Sequence, residues 1–121
     1  MKNLSTGLKR ILKAFVYSAQ GFRAVFKTEA AFRQDLFVFI SGILVSCFLT
    51  LTIVERVLMI SALFFILLME LVNTAVEVII DRISPEYHPL SGKAKDIGSL
   101  LVLIAFIHAI VIWSLILIQA I

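Results

Sequence analysis

Apolar positions along the chain follow two patterns. From Leu8 to Phe26, the residues Leu8, Ile11, Leu12, Phe15, Ala19, Phe22 and Phe26 recur at i, i+3, i+4, i+7, i+11, i+14 and i+18, which is one face of a helix of period 3.6. Lys9, Arg10, Lys13, Tyr17, Gln20 and Arg23 fill the flank and back. A helix with aromatic and aliphatic side chains on one side and cations on the other is expected to lie in a membrane interface; the alternative is packing against a soluble partner. Three continuous apolar runs then follow, over 36–54, 57–80 and 97–121. Each is long enough to cross roughly 30 Å of hydrocarbon as a helix. Glu55 and Arg56 form the charged break between the first two runs, so tight a connection that it predicts two antiparallel spans. The stretch 81–96, with Pro85, Pro89, Gly92 and mixed charges, reads as a loop. In the third run His108 is the titratable side chain, and Trp113 is expected at the far interface.

Composition turns this pattern into a membrane assignment. Of the 121 residues, 61% are hydrophobic and the mean hydropathy is +1.07, against about 45–50% apolar residues in ordinary globular domains. A soluble domain of this size buries only about 60–70% of the surface its unfolded chain exposes, too little to hide so much apolar area. Lipid is therefore part of the solvent. The net charge of +3 does not indicate nucleic acid, because the cations cluster before the first apolar run: Lys2, Lys9, Arg10, Lys13, Arg23, Lys27 and Arg33. Arg82, Lys93 and Lys95 follow in the 81–96 stretch, Arg56 stands alone in the 55–56 turn, and the C-terminal end has none. The positive-inside rule then predicts a cytoplasmic N-terminus and 81–96 segment, with the C-terminus outside. Cys47 lies within an apolar run and reads as a small hydrophobe. The first 35 residues lack the basic patch and apolar core of a cleavable signal peptide.

Glu70, Asn73 and Glu77 carry the candidate chemistry. Spacings of three and four put them on one face of the second span, and Asp81 continues the row. An acidic side chain near mid-span costs roughly 2.5–3.5 kcal/mol on insertion scales, so two must gain something in return. They could pair with cations, bind a metal, relay protons or perform acid–base chemistry. The span holds no Lys or Arg, so a purely structural role would need cross-helix hydrogen bonds between neutralised carboxyls. The stretch Ser91-Gly92-Lys93-Ala94-Lys95-Asp96 supplies ammonium groups, and Glu29 adds an acid at similar depth. Lysines attract phosphate and carboxylates hold Mg²⁺, so this combination suits a Mg²⁺–nucleotide site. No Walker A sequence, dinucleotide-binding glycine pattern or protein-kinase signature occurs. His88 and His108 are too far apart in sequence to suggest a shared zinc.

The block Glu70-Leu-Val-Asn73-Thr74-Ala75-Val-Glu77, followed by Asp81-Arg82, Glu86-Tyr87-His88 and Ala94-Lys95-Asp96-Ile-Gly98-Ser99, resembles the prokaryotic integral-membrane diacylglycerol kinases, as does Glu29-Ala30-Ala31-Phe32-Arg33-Gln34 upstream. The resemblance covers nearly the whole chain. It implies a single all-α membrane domain over 1–121, with a surface helix over about 8–26 and three transmembrane helices, assembling as a homo-oligomer, namely a homotrimer with sites shared between subunits. The implied reaction is ATP-dependent phosphorylation of diacylglycerol to phosphatidic acid at the bacterial inner membrane. Glu70 would be the general base, supported by Asn73, and Glu29 and Glu77 would hold Mg²⁺. The nucleotide would meet Arg10, Tyr17, Glu29, Glu77, Glu86, Tyr87, His88, Lys95 and Asp96. The lipid would meet Arg10, Ala14, Ser18, Arg23, Ala31, Phe32, Arg33, Gln34, Asp35, Glu70, Ser99 and Trp113. Departures from the best-known members are Ala19-Gln20, where they carry Trp-Lys, and Phe48, where they carry Trp. An undecaprenol kinase of the same family is the nearest alternative, and a non-enzymatic small membrane oligomer is a more distant one.

Overall fold

A computed structural model of the chain describes residues 4–83 and 85–120, and every structural statement below refers to these. Lys2 of the basic cluster, Ser84 of the predicted loop and Ile121 at the end of the third run lie outside them. The described residues form four helices: α1 (Leu4–Thr28), α2 (Ala30–Phe48), α3 (Ile53–Ile83) and α4 (Pro89–Ala120). They divide into two compact units, one over 1–30 and one over 31–121. In the first unit, α1 displays its apolar row, with Phe22 and Phe26 stacked at 5.9 Å between ring centres, and the row is exposed throughout.

The second unit is built on the α3–α4 pair. Ala62, Leu63 and Ile66 of α3 pack on Ala105 and Ala109 of α4. The alanines let the backbones approach, which is how helices associate where lipid removes the hydrophobic drive. The pair is antiparallel, tied by the Trp113 Nε1 donating to the Met59 carbonyl at 3.0 Å and by Phe65 against His108, 5.6 Å between centres. This bond holds Trp113 against α3 toward the start of α3 and the end of α4.

α2 lies antiparallel to α3 through one buried face: Phe32, Asp35, Gly42 and Ser46. Gly42 suits that face, because a Cβ would overlap the side-chain end Leu63 Cδ1 and stand 3.3 Å from two ring atoms of Trp113, both of which would have to shift. The three helices α2, α3 and α4 are long and apolar enough to cross a membrane, yet only 17%, 22% and 17% of their span windows are buried within the chain. The remaining apolar surface is matched to lipid or to other membrane-embedded protein.

The helix ends differ from those the hydropathy pattern predicts. α2 starts six residues earlier than 36 and stops at Phe48 rather than 54. Arg33 and Asp35 continue the helix because backbone hydrogen bonding does not depend on side-chain charge. α3 then begins before Glu55, not after Arg56. Thr52 and Glu55 form a reciprocal capping box, in which the Glu55 amide donates to Thr52 Oγ1 at 3.1 Å and the Thr52 amide to Glu55 Oε1 at 3.0 Å. Arg56 turns back to cap α2, its Nε donating to the Ser46 carbonyl at 3.1 Å and its Nη2 to the Leu49 carbonyl at 3.0 Å. The predicted loop over 81–96 is likewise corrected. α3 runs on to Ile83, and α4 opens at Pro89, where a missing amide hydrogen does no harm in a first helical turn. His88 caps that turn, with Nδ1 accepting from the Leu90 amide at 3.1 Å.

Candidate functional site

Where α2, α3 and α4 meet, polar side chains line up inside an apolar bundle. Asp35, Glu70, Asn73 and Thr74 are 8%, 7%, 9% and 5% exposed, burial that carboxyls and amides take only with partners. Asp35 on α2 shares a side-chain hydrogen bond with Glu70 on α3. The two carboxyls therefore face each other across the α2–α3 contact. One turn further along α3, the Asn73 Nδ2 donates to Glu77 Oε1 at 3.3 Å. Glu77 is only half-buried. The row Glu70, Asn73, Glu77 therefore rises from a buried acid pair to a carboxylate within reach of water.

The row leads toward the end of the helix pair. α3 and α4 have 31 and 32 residues, roughly 46–48 Å at 1.5 Å per residue, longer than the ~30 Å apolar core of a bilayer. Opposite Asp35 stands Glu70, so the last turns of α3 and the first of α4 continue past the start of α2. There a pocket of about 300 Å³ is lined by Ile80, Asp81, Pro85, Glu86, Tyr87, His88, Ser91, Gly92 and Lys95. The first turn of α4 opens into it through Ser91 and Gly92. Lys95 Nζ sits 2.7 Å from Asp81 Oδ1, both side chains well exposed, so the ammonium is held in place at the pocket.

The structure thus gathers the expected nucleotide residues Glu86, Tyr87, His88 and Lys95, and assigns His88 a capping role besides. Asp96 is exposed on α4 and is not among the residues lining the pocket. Arg10, Ala14, Tyr17 and Ser18 share one face of α1, where Ser18 Oγ donates to the Ala14 carbonyl at 2.8 Å; Arg23 lies on the same helix, and Glu29 joins α1 to α2. Of the expected lipid contacts on α2, Ala31, Arg33 and Gln34 are exposed while Phe32 and Asp35 are buried. Ser99 is exposed on α4. Trp113 borders an apolar groove of about 280 Å³ with Phe37, Val38, Ser41, Gly42, Val45 and Leu63. Among the described residues no three His, Cys, Asp or Glu side chains converge as a ready-made metal cage.

Two features escape sequence reasoning. Asp35 was expected only as a lipid contact outside the span, and its bond to Glu70 is new; its signal is the spacing Phe32, Asp35, Phe39, Gly42, Ser46, a helical face that crosses the supposed boundary. Thr74, buried beside Asn73, carries no signal of its own.

These observations define a small all-helical membrane protein with an acid–amide row inside its bundle and a polar pocket beyond it. Residues 16–117 match the family described as prokaryotic diacylglycerol kinase. The chain is 44% identical over 117 residues to the diacylglycerol kinase of Escherichia coli, covering 97% of this chain and 96% of that protein. It is 46% identical over 112 residues to the diacylglycerol kinase of Pseudomonas aeruginosa, at 93% and 91% coverage, and 42% identical over 110 residues to that of Haemophilus influenzae, at 91% and 93%. The chain belongs to the prokaryotic diacylglycerol kinase family, a family of lipid kinases.

Proposed function

We propose that this protein transfers the γ-phosphate of ATP to the primary hydroxyl of diacylglycerol, yielding phosphatidic acid at the cytoplasmic face of the bacterial inner membrane. The observation that carries this reading is the row Glu70–Asn73–Glu77, buried at one end and open at the other, in a member of this family. A lipid alcohol arrives from the membrane and a nucleotide from water, so the base belongs on the buried side and the phosphate-handling groups on the open side. Glu70 and Glu77 are seven residues apart, roughly 10 Å along the helix, which gives each reactant its own end.

In the proposed reaction the Glu70 carboxylate accepts the hydroxyl proton as the lipid oxygen bonds to the γ-phosphorus. The bond from phosphorus to the bridging β,γ-oxygen breaks, and ADP leaves with that electron pair. Asn73 holds Glu77 through its amide. Glu86, Tyr87, His88 and Lys95 at the α3–α4 turn receive the nucleotide together with Asp96, and Arg10 and Tyr17 of the surface helix complete its site. Mg²⁺ suits the donor set, because a nucleotide-bound magnesium ion needs only one or two carboxylates beside phosphate oxygens and water. Glu29 and Glu77 would hold it, and its charge would offset that of the phosphates. Arg10, Ala14, Ser18, Arg23, the Ala31–Asp35 segment, Ser99 and Trp113 contact the lipid. Three spans enclose too little volume to surround such a site alone, which supports a homotrimer in which neighbouring subunits complete it.

The test is a purified-protein assay with labelled ATP, Mg²⁺ and either diacylglycerol or undecaprenol. Label is expected in phosphatidic acid, and preferential labelling of the polyprenol would replace this reading with the undecaprenol kinase. Glu70→Gln should keep its oligomeric state and lose about 10²–10⁴ in turnover, the usual worth of a general base. Full activity in that variant would remove Glu70 from its role.

A further inference from the structure

Asn73 is held on two sides, and only one of them is a hydrogen bond. Its Nδ2 donates to Glu77 Oε1. Its Oδ1 is buried without a hydrogen-bond partner among the described residues and faces Gly98 on α4. A Cβ added at Gly98 would overlap that Oδ1, stand 3.3 Å from Asn73 Cγ and lie 3.7 Å from Asn73 Cα. The space a side chain would fill is therefore occupied by the carboxamide, while the α3 backbone stays at ordinary van der Waals distance. Gly98 is itself buried within α4, where glycine is about 0.5–1 kcal/mol worse than alanine for the helix. Its φ is not positive, so the backbone does not demand glycine. What alanine would disturb is the Asn73 side chain.

We propose that Gly98 is a positioning residue for the phosphoryl-transfer site: its missing side chain is the seat of the Asn73 carboxamide, and through Asn73 it sets the orientation of Glu77. This rests on the reading of Glu77 as a magnesium-binding carboxylate. A methyl group at 98 must push the carboxamide, because the overlapping atom is the far end of that side chain. The displaced amide no longer meets Glu77 Oε1, and the carboxylate regains the freedom the bond had removed. The fold meanwhile keeps the α3–α4 contact at Ala62, Leu63, Ile66, Ala105 and Ala109.

Four full-length variants purified in the same detergent decide it: Gly98→Ala, Asn73→Ala, Asn73→Ala/Gly98→Ala and Glu77→Gln. Each is titrated with Mg²⁺ at saturating ATP and lipid, and thermal unfolding is recorded alongside. Gly98→Ala is expected to raise the Mg²⁺ half-saturation concentration roughly tenfold, the worth of one hydrogen bond to a charged group. It should leave the lipid KM within about twofold. In the Asn73→Ala background, which has no Oδ1 to displace, Gly98→Ala should add nothing to the Mg²⁺ dependence. Equal effects of Gly98→Ala with and without Asn73 would overturn the proposal, since the methyl group would then act on something else. Should Gly98→Ala fail to fold, recovery of folding in the double variant supports the seat, and failure of both refutes it. An unchanged Mg²⁺ titration in Glu77→Gln overturns the metal reading of Glu77 instead, whatever Gly98→Ala does.

Discussion

Glu70 has Asp35 as its hydrogen-bonding neighbour across the α2–α3 contact, and this pair determines what the acid can do. A carboxylate stranded at such depth without a partner would be costly. The partner also fixes the direction in which Glu70 presents its oxygens. Asp35→Ala should lower turnover about 10- to 100-fold with little change in the nucleotide KM, in keeping with the roughly 1–3 kcal/mol lost when a buried polar group is left without its partner. Asp35→Asn keeps a hydrogen-bonding group toward Glu70, so it should retain more activity than Asp35→Ala. An alanine variant as active as the parent would reduce Asp35 to a packing residue. The acid row itself is legible in the sequence, because spacings of three and four define a helix face. Its cross-helix partner is not, since a charged residue next to an apolar run marks a boundary to any hydropathy reading.

Among the helices, two pieces of local chemistry fix where α2, α3 and α4 begin and end. At one turn, Arg56 satisfies the last carbonyls of α2 with its guanidinium fork, groups that would otherwise face hydrocarbon unpaired. Arg56→Ala should therefore lower thermal stability measurably, and Arg56→Lys should recover little of it because an ammonium lacks the fork geometry. Turnover of the folded fraction should stay near the parent value, because Arg56 is 14 residues from Glu70, roughly 21 Å along α3. A strong loss of specific activity at unchanged stability would contradict this. At the other turn, the Asp81–Lys95 ion pair is exposed and contributes little to stability, because solvent screens it. Its consequence is positional: Lys95→Ala should raise the KM for ATP about tenfold, Asp81→Asn only two- to threefold, and neither should shift the unfolding temperature by more than a degree or two. Equal effects of the two on the KM would mean that Lys95 is not the group that meets the nucleotide. The sequence marks both turns as polar, but Pro89 looks like loop punctuation until His88 is found capping a helix that starts there.

For the molecule as a whole, the deciding fact is how little of each span the chain covers by itself. About four-fifths of every span window stays open. That open apolar surface needs lipid or other membrane-embedded protein against it. If neighbouring subunits complete each site, mixing inactive Glu29→Gln protomers with inactive Glu70→Gln protomers should restore up to a quarter or so of parental activity, as random exchange allows. Mixtures that remain inactive after verified subunit exchange would locate both residues in the same protomer's site.

The sequence alone determined the helical membrane class, the number of spans and the acid face on the second of them, because these depend on hydrophobicity and helical period, which are local. It also carried the resemblance that places the chain in its family. The tertiary structure alone decided that Asp35 belongs to Glu70, that Asn73 rests on Gly98, that Arg56 closes α2 and that the α3–α4 turn forms a pocket. Those pairings join residues 7 to 35 positions apart, and such distances close only when helices pack, through volumes and hydrogen-bond directions that no linear pattern records.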